Sequence, residues 1–522
     1  MSKESYHISR RKFFRIIGLA AAAIGAEQLL PGDWIPLRAL WAEGPRSCGP
    51  PPPAAPRRIK AGESFPPLPL PATPLRRTER KREPAPPTLV GKVQYGKMVW
   101  GTDANGNRFQ YPDWTTDPSD IKNLLDWTST KLNIRYRPVE MKLRDFSYSP
   151  AEMPVLYFTG HEGFELTDEE VVKLRRYLYD GGYVIGDACC GDARFQQAFV
   201  REFAKVLPDR RRTALAGDHP LYESYYKIDS VQYQAEGKGQ FREPPRIEGM
   251  NIGCRTAVFF TRYDLSCGWD YHTHPQGQRV MPDDAHRIGA NLLTYVLACY
   301  QLGRFLSTEK VYYQENVNTR DEFVFGQIVH DGDWDPDPSA AMNLLKHVAR
   351  NSTLDVQFKR ADIDLAKPLE VFRHSFLYIT GHHDFAFKDD ELKTLNKFLL
   401  NGGLLLGDAC CGRATFDAAF RREIARALPG TKPERLPLDH PLFSSSAKVQ
   451  AVEYTDLLKQ AQPGFNAPLA EGITVNGRLC VIYSRFDMGC GWEEIDHPYC
   501  RGLTSPHALS LGTNAIIFAM TH

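Results

Sequence analysis

Gly186-Asp187-Ala188-Cys189-Cys190-Gly191 is written twice in this chain. It returns as Gly407-Asp408-Ala409-Cys410-Cys411-Gly412, about 220 residues further on. Working outward, other segments return at the same offset. Tyr157-Phe158-Thr159-Gly160-His161 matches Tyr378-Ile379-Thr380-Gly381-His382. Asp218-His219-Pro220-Leu221 matches Asp439-His440-Pro441-Leu442. Arg262-Tyr263-Asp264 with Cys267-Gly268-Trp269 matches Arg485-Phe486-Asp487 with Cys490-Gly491-Trp492. Asp113-Trp114 and Asp117-Pro118 match Asp333-Trp334 and Asp337-Pro338. A period this long is a tandem domain duplication, not a solenoid. The copies run over 91–305 and 306–522, each long enough for its own core.

Within a copy the pattern alternates between strand and helix. Lys97 to Gly101 reads as a first strand, Ile121 to Leu132 as a helix and Pro154 to Thr159 as a buried strand. Thr167 with Glu170 forms a capping box ahead of a helix, which Gly181-Gly182 ends. Tyr183 to Asp187 is the next strand, matched by Leu404-Leu405-Leu406. Phe195, Phe199, Phe203 and Leu207 mark an amphipathic helix, and Phe416, Phe420, Ile424 and Leu428 repeat it. Thr256 to Arg262 is a late strand, with a helix from about Ala285. Apolar strands alternating with helices predict an α/β fold: two tandem three-layer αβα domains, flavodoxin- or amidotransferase-like, with mainly parallel sheets. Ligands of such sheets sit beyond the strand carboxyl ends. The duplicated polar residues fall there. Candidate ligand contacts are Asp113, Trp114, His161, Asp187, Arg262 and Asp264 in the first copy. Their counterparts are Asp333, Trp334, His382, Asp408, Arg485 and Asp487.

The N-terminal segment reads as an address. Ser9-Arg10-Arg11-Lys12-Phe13-Phe14 and the short apolar run Ile16 to Ala26 resemble a twin-arginine export signal, over 1–42. The translocase of that route is then a transient partner, and the destination is the periplasm or cell envelope. Residues 43–90 hold 14 of the 38 prolines and a basic cluster at 76–82, the composition of an extended linker. Formal net charge is +1 over 522 residues, and 91–522 carries 49 basic against 56 acidic residues. That balance speaks against nucleic acid as a partner.

The Thr-Gly-His, Asp-Ala-Cys-Cys-Gly and Asp-His-Pro elements resemble the bacterial family called domain of unknown function 4159, as a tandem pair over 91–522. More distantly, each copy is similar in layout to the class I glutamine-amidotransferase-like fold. There a Gly-Gly helix end leads to a strand and a sharp turn with a nucleophilic Cys in Gly-x-Cys-x-Gly. Here Cys189 has Gly191 at plus two but Asp187 at minus two, and no His-x-Glu pair is evident.

Cys189, Cys190, Cys410 and Cys411 are thus weak catalytic candidates. His161 or His219 could serve as base, while Asp187 opposes a thiolate by like charge. In an oxidising compartment a disulfide is simpler, with Cys267 the partner in the first copy and Cys490 in the second. No close C-x-x-C or H-x-x-x-H spacing supports a metal, so neither metal nor cofactor is expected. His330 to Asp337 resembles a calcium loop but lacks its Gly and terminal Glu. Trp114, Trp334, Trp269 and Trp492 could line a cleft, where aromatic faces suit sugar rings, with core packing the default for a Trp. The leading expectation is a non-catalytic envelope module that binds a polar ligand or partner at the strand ends. The alternatives are a Cys-dependent amide or ester hydrolase, and a scaffold whose copies pack as a pseudo-dimer.

Overall fold

The computed structural model describes residues 88–102, 106–132, 136–272, 277–300, 302–303 and 322–522. The expected export signal and the linker up to residue 87 lie outside them. Among the described residues no helix is long and apolar enough to cross a membrane.

The first repeat's main sheet uses β1 (Thr88–Val93), β4 (Tyr136–Met141), β5 (Val155–Gly160), β6 (Tyr183–Ala188), β7 (Arg212–Ala214), β10 (Ile247–Ile252) and β11 (Arg255–Thr261). Their spatial order is β4-β1-β5-β6-β11-β10-β7. The first five pair in parallel, and β10 runs antiparallel to both β11 and β7. Taken in chain order, the parallel strands lie 2-1-3-4-5, the flavodoxin-like winding. Two satellites flank the sheet: the hairpin β2 (Met98–Thr102) with β3 (Arg108–Pro112), and a small sheet of β8 (Val231–Ala235), β9 (Gly239–Glu243) and β12 (Gln278–Val280). The second repeat repeats the main sheet with β13 (Phe323–Ile328), β14 (Val356–Ile363), β15 (Phe376–Gly381), β16 (Leu404–Ala409), β17 (Glu434–Arg435), β18 (Glu471–Val475) and β19 (Arg478–Ser484), in the order β14-β13-β15-β16-β19-β18-β17.

One strand differs from expectation. Lys97 to Gly101 belongs to the satellite hairpin, and the first sheet strand is β1, which starts inside the span read as linker. Its Val90 and Val93 are buried, so the sheet takes the apolar residues that close the Pro-rich stretch.

Helices cover both faces. α1 (Asp120–Leu132) and α4 (Pro282–Ala298) lie on one face, α2 (Asp168–Tyr179) and α3 (Ala193–Val206) on the other. Strand alternation feeds both cores: Tyr157, Tyr183 and Ile185 point to the first, Leu156, Phe158 and Val184 to the second. Thr167 caps α2 by accepting from the Glu170 amide, while Glu170 accepts from the Thr167 amide. In the second repeat α5 (Ala340–Asn351) and α8 (Ser505–Thr521) cover one face, α6 (Asp389–Leu400) and α7 (Ala414–Ala427) the other. Lys388 stands where Thr167 does, so only the Glu391 half of the box remains. Gly186 and Gly407 let a phenylalanine lie flat on the strand. A Cβ there would come 2.2 Å from Phe199 and 2.4 Å from Phe420.

The two repeats meet through unlike surfaces. Asp218 of the first accepts from Arg413 and Thr415 of the second. Asn251 bonds His383, and Tyr295 stacks on Tyr499 with centroids 5.6 Å apart. A two-fold arrangement would set Asp439 against Asp192, the counterparts of Asp218 and Arg413. Asp439 is exposed instead, and Asp192 pairs with Arg194. The contact is head to tail: the β10–β11 side of the first repeat covers the strand ends of the second.

Candidate functional site

The cysteine pair follows the central strand in each repeat. β6 ends at Ala188, a single 3₁₀ turn carries Cys189 to Gly191, and α3 begins at Ala193. Cys190 has φ 56° and Cys411 φ 53°, left-handed values uncommon for a residue with a side chain. A carboxylate fixes this bend. Asp264 accepts from the Cys190 amide at 2.5 Å and from the Cys267 amide at 2.9 Å. Asp487 accepts from the Cys411 and Cys490 amides in the same way. A second carboxylate fixes the neighbouring loop. Asp187 accepts from the Leu265 and Ser266 amides and the Thr261 hydroxyl. Asp408 accepts from the Met488 and Gly489 amides and the Tyr378 hydroxyl. Burial pushes the Asp187 carboxyl up to about 6, against these donors. Asp408 and Asp487 are raised by burial as well.

The loops so held present sulfur. Cys189 lies 3.8 Å from Cys190 and its thiol donates to Asp117 at 3.2 Å. Cys267 lies 3.8 Å from the same carboxylate, and His272 Nδ1 contacts it at 2.6 Å. In the second repeat Asp337 takes the place of Asp117. It accepts from Cys410 at 3.3 Å and Cys490 at 3.6 Å. The Cys254 thiol also reaches it at 2.9 Å, from the β10–β11 turn of the first repeat. His497 Nε2 and Cys490 each lie 3.8 Å from the Cys411 sulfur. Burial pushes the Cys254 and Cys410 thiols up, whereas hydrogen bonds from neighbouring thiols hold Cys411 well below the ordinary range.

The disulfide expectation finds no support among the described residues. None of the ten described cysteines is in a disulfide, and Cys48 lies outside the described residues. The Cys254 and Cys410 sulfurs are 3.4 Å apart, against about 2.05 Å for a bond. The sulfurs gather around a carboxylate instead of pairing. Four groupings have metal-ligand proximity among the described residues: Cys254, Cys410, Cys411 and Cys490; Cys189, Cys190, Asp264 and Cys267; Asp337, Cys410, Asp487 and Cys490; and Asp117, Cys267 and His272.

A second pair sits one strand over. Asp333 accepts from the His382 and His383 amides and from His382 Nδ1 at 2.5 Å. Burial opposes charge on His382, but Asp333 and Cys411 together hold it well above the ordinary value. Asp113 likewise accepts from the His161 and Glu162 amides, and His161 Nδ1 meets the Thr116 hydroxyl at 3.3 Å. His219 lies on the side of the first repeat that meets the second, not beside Cys189 and Cys190. It helps line a cavity of about 20 Å³ with Asn251, Cys254, His382, Cys411 and His497. Burial lowers its pKa well below the ordinary value.

Other candidates stay outside. Arg262 is exposed and pairs with Glu248; Arg485 is exposed over the Phe486 ring. Trp114 and Trp334 are half-buried, and Arg360 stacks on Trp334. Trp269 and Trp492 are core, each indole donating to a helix carbonyl. The sequence shows Asp117 and Asp337 as a repeated pair, with Asp337 in the calcium-like run, but does not mark them as contacts of the cysteines. Cys254 was overlooked; its counterpart is Gly477, so matching the copies hides it.

The family described as domain of unknown function (DUF4159) matches residues 91–297 and 324–520, and the chain belongs to that family. No curated protein matches it.

Proposed function

For this member of a family without an assigned activity, we propose a non-catalytic, metal-binding module of the cell envelope, one soft-to-borderline divalent cation per repeat. The carrying observation is the convergence, in both repeats, of buried thiols on one inward carboxylate: Cys189 and Cys267 on Asp117, Cys410 and Cys490 on Asp337. Thiolate-rich sites select zinc, iron or copper(I) over calcium and magnesium. Zinc is the first choice, because it binds thiolate without redox chemistry in an oxidising compartment. Export by the twin-arginine route suits this reading, since that route carries folded chains with their metals already loaded.

Two observations favour binding over hydrolysis. The Cys190 and Cys411 amides, the nearest candidates for an oxyanion hole, already donate to Asp264 and Asp487. A carboxylate there repels the anion that acyl transfer must stabilise. The cavity beside Cys411 holds about a water's volume and no organic substrate. The hydrolase remains the second reading because His382 lies between Cys411 and Asp333 in the sense of a nucleophile, base and orienter.

Metal analysis of the full chain purified without chelator tests the proposal, with iodoacetamide mapping of every cysteine. Two equivalents of metal and slow labelling of Cys190 and Cys411 are expected. A chain that binds neither zinc nor cobalt refutes the reading. Fast labelling of one of those cysteines, unaffected by zinc, moves the case to the hydrolase.

A further inference from the structure

We infer that Cys254, carried by the first repeat, is the fourth ligand of a Cys₄ zinc centre in the second repeat, so that one ion staples the two repeats together. This rests on the metal-binding reading and adds to it a ligand that crosses between repeats.

The geometry carries the inference. Cys254 Sγ lies 3.4 Å from Cys410 and 3.7 Å from Cys490, and Cys490 lies 3.8 Å from Cys411. All four sulfurs fall within 4.8 Å of one another, and all four residues are buried. A tetrahedral zinc with bonds of about 2.3 Å sets its sulfurs about 3.8 Å apart. Sulfurs this close surround one ion and leave no volume for a multi-iron core.

The four come from three separate places. Cys410 and Cys411 follow β16, Cys490 follows β19, and Cys254 sits in the turn between β10 and β11 of the other repeat. That turn is seated from both sides. His497 Nε2 lies 3.1 Å from the Cys254 carbonyl, Asn251 bonds His383, and Asp218 grips Arg413. The thiol therefore arrives on a braced element, as a structural ligand must. Thiol protons now donated to Asp337 leave when the metal enters.

The first repeat differs at this one place. Its nest offers Cys189, Cys190 and Cys267, with Asp264, Asp117 and His272 beside them, and no fourth thiol among the described residues. Gly477, the counterpart of Cys254, cannot supply one. The two sites are thus unequal: sulfur-closed between the repeats, and mixed in donor type within the first.

The test is zinc-edge X-ray absorption and competition titration on the full chain. Cys267→Ser weakens the first site and isolates the second, which is expected to keep one zinc with four sulfurs. Adding Cys254→Ser is expected to drop the count to three and weaken binding at least about tenfold. An unchanged count and affinity would overturn the staple and pass the fourth position to Cys500, which lies in the same cluster. If the double variant fails to fold, anomalous diffraction from the zinc-loaded wild-type chain decides. A peak bonded to Cys254 Sγ supports the inference, and a peak bonded to Cys410, Cys411 and Cys490 without Cys254 overturns it. A wild-type chain that takes up no zinc defeats the underlying reading instead.

Discussion

Replacing Asp218 by alanine should uncouple the repeats, and the duplication supplies its own control. The Asp218 carboxylate receives Arg413 Nε at 3.2 Å and Nη2 at 3.0 Å, the Thr415 amide at 3.1 Å and the Thr415 hydroxyl at 2.9 Å. Arg413 is only 5% exposed, so removing its partner leaves a buried cation without its counter-ion. Breaking a fully buried pair costs about 3–5 kcal/mol. Asp218 is 21% exposed, and water entering there relieves part of that, leaving about 2–4 kcal/mol. Asp439, the same residue of the same motif in the second repeat, is exposed, and Asp439→Ala should cost under about 0.5 kcal/mol. Urea unfolding followed by tryptophan fluorescence reads both. Wild type should unfold with the repeats coupled, and Asp218→Ala should separate the transitions. Equal, small effects of the two substitutions would refute the head-to-tail contact. The pair also sets a pH dependence. Burial raises the Asp218 pKa, but Arg413 and the Thr415 donors outweigh it, so the folded value lies below the unfolded one. The contribution is therefore full above the unfolded value of about 3.9 and is lost as pH falls through the folded value. Asp218→Asn should remove that part of the acid sensitivity.

Other outcomes follow from the same structure. Thr167→Ala breaks one half of the α2 capping box and should cost about 1 kcal/mol, while Lys388→Thr, completing the box of α6, should stabilise by a similar amount; thermal melts of both variants check this. Trp492→Phe removes an indole donating to Ala508 at 2.8 Å from a fully buried site, and about 1–3 kcal/mol of stability should go with it in urea unfolding. Chelation should lower the melting temperature of the zinc-loaded chain, and free zinc should restore it. A melting temperature blind to both would argue against bound metal.

Much of this protein is legible along the chain. The offset between copies, the buried strands ending at Gly160 and Ala188, the Thr167 cap and the helix faces of Phe195 and Phe416 are all local or periodic features. Pattern and propensity suffice for them, because the physics that decides them acts within a few residues. The first strand was harder: Lys97 to Gly101 and Thr88 to Val93 are both strand-like, and only pairing with β4 and β5 selects the second. Side-chain direction was not legible either. Arg262 and Asp264 stand two residues apart at one strand end, yet one turns outward to Glu248 and the other inward to the Cys190 amide.

The sequence by itself determined the α/β class, the duplication and the strand ends where the polar residues gather. The tertiary structure alone decided what those residues do together. It turned Asp187, Asp264 and their counterparts into braces for backbone amides. It gathered cysteine thiols around Asp117 and Asp337, and it carried Cys254 from one repeat into the other. The reason is range. Helix and strand signals arise between neighbours in the chain, whereas a sulfur 3.4 Å from another across 156 residues is placed by the packing of two domains.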